Sequence, residues 1–174
     1  MNRRNSKNKG FFIDLRKNKS IMIQRKQTIY LFISAILTGV LLMSRYADFA
    51  SPTGNFYLDF RGIWQHTGET STLEIGAYPL MILVSLSTLM SLVTIFLFKN
   101  RPLQIRLCGM NAVLMAGITG FIFYYGHTAA KALEAVVSYG WTVVFPIIGI
   151  VMTILALIAI GKDEALIRTM NRIR

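Results

Sequence analysis

The stretch YPLMILVSLSTLMSLVTIFLF, Tyr78–Phe98, decides the fold class, because its 21 residues contain no Asp, Glu, Lys or Arg. A helix needs about 20 apolar residues to cross roughly 30 Å of hydrocarbon. Lipid offers the backbone no hydrogen-bond partners, so an uninterrupted run of this length must be helical. Three more charge-free runs accompany it: Thr28–Ser44, Leu107–Tyr125 and Trp141–Ile160, of 17, 19 and 20 residues. The expected fold is an all-α membrane protein, a four-transmembrane-helix bundle over residues 28–160 with a small extracytoplasmic β-hairpin loop.

The connections follow from local chemistry. Pro79 suits a first helical turn, where its missing N–H would lack a partner anyway. Lys99–Arg106 is a tight turn around Arg101-Pro102, so spans two and three form an antiparallel hairpin. In the outer loop, residues 45–77, NFYLDFRGIW (Asn55–Trp64) and STLEI (Ser71–Ile75) read as two strands, with HTGET supplying the turn. Two strands alone are marginal in water, so they must rest on the bundle or on a partner. Thr128–Val137, rich in Ala, is expected to form a short outer helix, and Pro146 to bend span four. Residues 161–174 form an amphipathic cytoplasmic tail, expected to bend at Gly161 and lie along the inner membrane surface. Residues 1–27 are polar, basic and too poor in apolar residues for a core, with Met22 as an alternative start.

The net charge of +11 would suit nucleic acid, but its distribution argues otherwise. Nine basic residues precede the first span, Lys99, Arg101 and Arg106 lie between spans two and three, and Lys162, Arg168, Arg172 and Arg174 follow span four. The remaining loops hold only Arg45, Arg61 and Lys131. Positive flanks stay in the cytoplasm, which places both termini there and accounts for the charge without nucleic acid. Tyr46, Tyr78, Tyr124, Tyr125, Tyr139 and Trp141 all fall at the outer ends, where amphipathic rings prefer the interface. The first span is too long for a signal-peptide core, and RYADFAS lacks the small residues of a cleavage site.

Chemistry is sparse. The lone Cys108 excludes an intramolecular disulfide and reads as a packing or lipid-facing residue. His66 and His127, both outside, lack metal-ligand spacing, so no metal and no cofactor is expected. No nucleophile elbow, P-loop or intramembrane carboxylate pair is present, so the reading is not an enzyme. Within the spans, Ser87, Ser91 and Thr94 share one face of span two, and Asn111 is the most polar side chain inside span three. Amides in lipid seek partners on a neighbouring helix. Small residues also recur at four-residue spacing, as at Ala35/Gly39 and Ala112/Ala116/Gly120, where helix backbones approach closely. At the cytoplasmic face, Arg101 and Arg106 can meet Asp163 and Glu164, with Arg168 one turn beyond.

Three segments, MIQRKQTIYLFISAILTGVLL (Met22–Leu42), FKNRPLQIRLCGMN (Phe98–Asn111) and KDEALIRTMNRIR (Lys162–Arg174), resemble an uncharacterised family of small four-helix bacterial membrane proteins. It is the domain-of-unknown-function family four-two-nine-three, of Bacteroidetes type. The resemblance runs from Met22 to the end and is weakest in the outer loops. It implies a plasma-membrane location, a start equivalent to Met22, and no activity. Function is then expected to be that of a non-catalytic accessory or assembly subunit of an inner-membrane complex. Its partners would be the lipid bilayer and either a membrane protein or a second copy. Contact residues would be Arg101, Arg106, Asp163, Glu164 and Arg168. The alternative is a small transporter or channel for a neutral or lipophilic solute, lined by Ser87, Ser91, Thr94 and Asn111.

Overall fold

The computed structural model describes residues 28–67, 70–97 and 100–171, with side chains except at 67 and 163–171. The helix α1 (Thr28–Leu41) leads into four strands, β1 (Ala47–Ser51), β2 (Gly54–Leu58), β3 (Gly62–Thr67) and β4 (Thr70–Gly76). Then come α2 (Tyr78–Phe96), α3 (Arg101–Ala132), β5 (Val136–Tyr139), a 3-10 turn (Trp141–Val143) and α4 (Val144–Asn171). The expectation of an all-α protein is therefore corrected. The fold is mixed α/β, with a five-stranded antiparallel sheet in the order β4-β3-β2-β1-β5.

The expected hairpin exists as β3–β4, but inside this larger sheet. NFYLDFRGIW is two strands rather than one. Asp59 breaks it by accepting the Arg61 and Gly62 amides at 2.7 and 3.0 Å, which is the local side-chain bonding that makes Asp a turn former. Gly62 has φ +155°, and a Cβ there would collide with the Ile75 carbonyl oxygen, so only glycine fits. The Ala-rich segment is not a separate helix either. Instead α3 continues to Ala132, and Val136–Tyr139 becomes the fifth strand. Pro146 falls within the first turn of α4, where the missing N–H costs no helical hydrogen bond, and α4 runs through Gly161 without interruption.

Three helical segments, α2, α3 and Trp141–Lys162, are long and apolar enough to cross a membrane, whereas α1 has 14 described residues. Helix α3 packs against both α2 and α4. Helix α1 closes the group. Its Ser34 hydroxyl bonds Thr153 of α4 at 3.0 Å, and its Thr38 carbonyl accepts from Thr88 of α2. At 32 residues, α3 is about 48 Å long, more than the roughly 30 Å that a hydrocarbon layer would span.

The strands stand beside that overhang. One end of the sheet lies where the helices meet it. There Tyr46 precedes β1, and the Ala77 amide before α2 bonds the Arg61 carbonyl at the β2–β3 turn. At the other end of β1, Ser51 Oγ donates to the carbonyl of Leu133, just past α3, at 2.6 Å. So β1 runs alongside the last turns of α3. Its inward residues Ala47 and Phe49 join Phe56, Leu58 and Ile63 in one core with Leu41, Leu80, Ile118, Ile122 and Ala129 of the helices.

Candidate functional site

The polar residues expected inside the membrane are brought together. Asn111 Oδ1 accepts from Ser87 Oγ at 2.8 Å, and Asn111 Nδ2 donates to Ser91 Oγ at 2.9 Å. Ser87, Ser91, Thr94 and Asn111 are all buried. Thr94 Oγ1 donates to the Met90 carbonyl of its own helix, while its carbonyl accepts from Gln104 Nε2 at 3.2 Å. Each of these side chains thus spends its hydrogen bonds on another helix or on its own backbone, as burial demands. Gln104 carried the same signal in the sequence as Asn111 but sits beside the link and was read as part of it.

At the opposite end from the sheet, Arg101 opens α3 and Arg106 is exposed one turn later. The contacts expected from Asp163, Glu164 and Arg168 lie outside the described side chains. Cys108 is buried against Leu31, Ala156 and Ile160, a packing role. The row Ala112/Ala116/Gly120 does not serve intrachain packing at its outer end, where a Cβ on Gly120 would meet nothing within 4 Å. Close approach occurs instead at Gly149, 2.9 Å in the same sense from the Met115 sulfur.

A second constellation lies outside the helices, and the sequence reading passed over it. Strand alternation sends Ala47, Phe49, Phe56 and Leu58 into the core, and therefore Asp48, Asn55 and Tyr57 to the opposite face. Register then sets Asp48 across from Tyr57 and Ser138, Asn55 across from His66, and Tyr57 across from Trp64. Arg45, just before β1, lays its guanidinium 4.2 Å from the centre of the Tyr57 ring. Arg45, Asp48, Asn55, Tyr57, His66 and Ser138 line a cavity of about 360 Å³. Among the described residues, the side chains of Asp48, Asn55 and His66 have no hydrogen bond or ion pair, and the neighbouring Trp64 Nε1 is buried without a partner. His127 is exposed on the α3 overhang, away from that set. The signal was the alternation itself, visible only once Ala47–Ser51 is taken as a strand.

A family model described as "Domain of unknown function (DUF4293)" matches residues 23–173. The chain belongs to this family. No match was found among the curated proteins. The DUF4293 assignment carries no activity, so the chemistry of this member rests on its own geometry: an internally satisfied helical part and an open, polar sheet face.

Proposed function

We propose that this protein is a non-catalytic subunit of a bacterial inner-membrane assembly. In this reading it crosses the membrane four times with both termini in the cytoplasm, and its sheet stands on the outer side. Support for the fourth crossing comes from the depth of α1. Its Leu31 packs beside Cys108 and Ile160 at one end, and its Leu41 joins Leu80 and Ile122 at the other. It also exposes a helical stripe, Ile29, Phe32, Ile36 and Val40, like the apolar faces of α2 and α4. The charge asymmetry supplies the orientation.

The observation that carries the assembly role is β4. This edge strand is exposed along almost its whole length, with Leu73 and Ile75 47% and 40% accessible. An uncovered edge with apolar side chains is a template for a partner strand or surface. The register shift opposite Ile63/Trp64 leaves the stretch from Thr70 to Leu73 regular. Arg101 and Arg106 offer a second contact at the other end. The transporter alternative has less support, because its lining groups bond one another and leave no uncommitted polar path among the described residues.

The test is to purify the tagged protein from its native membrane into nanodiscs and identify co-purifying proteins by mass spectrometry, with a photo-crosslinker at Leu73. A stoichiometric partner crosslinked from Leu73 supports the reading. A lone protein that conducts solute in liposomes, and stops doing so in Asn111→Leu, would replace it with the transporter.

A further inference from the structure

The cavity runs along the outward face of the sheet from Arg45 at its root to Ala50 and Asn55, and its Arg45 end lies at a definite depth. Arg45 follows the last turn of α1 by four residues, and the same end of the helices shows Tyr78, Trp141 and Met43 66%, 77% and 95% exposed. Aromatic rings in that position mark the level of lipid headgroups. Arg45 is held there by its stacking on Tyr57. Asp48, directly across from Tyr57, faces the same cavity, yet no ion pair joins it to Arg45. A fixed cation and a carboxylate thus share one opening without neutralising each other. That arrangement is complementary to a ligand bearing both charges a short distance apart.

We infer that this cavity seats the phosphoethanolamine headgroup of a bilayer phospholipid, with the phosphate on Arg45 and the primary ammonium on Asp48. A planar guanidinium matches phosphate oxygens two at a time. The ammonium donates N–H bonds to the Asp48 carboxylate, with Asn55 and Ser138 as neighbouring polar groups on the cavity wall. A choline headgroup has no N–H to donate. A glycerol headgroup has no cation and leaves the Asp48 charge beside a phosphate. Below Arg45, the exposed Val40 and Met43 of the α1 end give the acyl chains an apolar wall.

This inference rests on the reading that the sheet stands outside the bilayer at the α1 end. The experiment uses the full chain in nanodiscs holding equal parts of phosphatidylethanolamine, phosphatidylglycerol and phosphatidylcholine, with the lipids retained on release read by native mass spectrometry. The wild type should retain phosphatidylethanolamine several-fold over both others. Asp48→Asn should erase that preference while phospholipid is still retained, and Arg45→Gln should lower retention of all three. Equal retention of the three lipids by the wild type, or a preference unmoved by Asp48→Asn, would overturn the inference. So would displacement of the lipid by added glycine, which would reassign the cavity to a free amino-acid zwitterion. Labelling of Thr72→Cys, on exposed β4 and outside the cavity, by a membrane-impermeant maleimide reads the placement separately. Labelling without lipid preference removes only the headgroup, whereas a shielded Thr72→Cys removes the placement as well.

Discussion

The Tyr46 hydroxyl donates to the Leu41 carbonyl oxygen at 2.7 Å, closing the last turn of α1 from within the root of the sheet. Tyr46 is fully buried, its amide bonds the Leu58 carbonyl, and its carbonyl accepts from Gly140. One residue therefore ties α1, β2 and the end of β5 together. It was expected at the membrane interface on the strength of its residue type. Its burial shows that an aromatic at a helix end can equally be a core residue of the domain that follows.

Tyr46→Phe keeps the ring and leaves the Leu41 carbonyl only the long 3.5 Å bond from the Ser44 amide, which should cost about 0.5–1.5 kcal/mol. Burial first, and then the Asp59 carboxylate, raise the phenol's pKa above its ordinary value. The unfolded chain ionises near pH 10 whereas the folded chain stays protonated, so this stabilisation is complete below about pH 10 and declines as pH rises further. Melting temperatures in nanodiscs between pH 8 and pH 11 should show the gap between wild type and Tyr46→Phe narrowing above pH 10. A gap that is constant with pH would mean the hydroxyl is not in this environment.

Asn111 should matter for stability rather than for any flux. Asn111→Ala removes two interhelical bonds, but Ser87 and Ser91 can turn their hydroxyls to carbonyls one turn back. The loss should be about 1–2 kcal/mol, measured by thermal unfolding of the purified variant. Asn111→Asp places a charge at the same buried point and should cut membrane insertion and abundance far more severely.

Gly126 lies under Tyr139, whose hydroxyl would be 2.6 Å from a Cβ at that position. The Tyr139 ring is in turn held against Phe123, with centroids 5.1 Å apart. Gly126→Ala should therefore destabilise, despite the gain of about 1 kcal/mol that alanine brings to a helix interior. In a Tyr139→Ser background the obstruction is gone, and the same substitution should stabilise. A double-mutant cycle on melting temperatures reads this reversal of sign.

Glu134 adopts φ 46°, beyond the end of α3, where the Ala135 amide bonds back to the Ala130 carbonyl at 3.0 Å. This is the helix-ending geometry that favours glycine. Glu134→Gly should raise stability by roughly 1 kcal/mol, since a side chain in this region costs about that much. Unchanged or lowered melting would show that the Glu134 side chain makes a compensating contact.

The helices were legible because each is a long run whose chemistry is local: absence of charge, a proline in the first turn, a basic link. The β3–β4 turn was legible for the same reason. Strands β1 and β5 were not, because ADFAS and VVSY are five and four residues long and each places only two side chains inward. Their pairing joins positions nearly ninety residues apart, which no local periodicity encodes. The overhang of α3 was hidden by Tyr124, Tyr125 and His127, which read as the end of a span although the helix continues past them. The outward cavity was illegible in consequence, since its residues come from four strands whose register was unknown.

The pairing of β5 with β1 also sets a timetable for biogenesis. About 85 residues separate the end of β1 from the start of β5, and α2 and α3 must be made between them. At ordinary rates of synthesis this is on the order of ten seconds. During that interval the β1–β4 meander waits with its β1 margin unpaired, open to chaperones, proteases and other nascent chains. Completion of the sheet therefore reports that the α2–α3 hairpin has been made, and a chain stalled before α3 would display an unfinished margin by which it can be recognised and cleared.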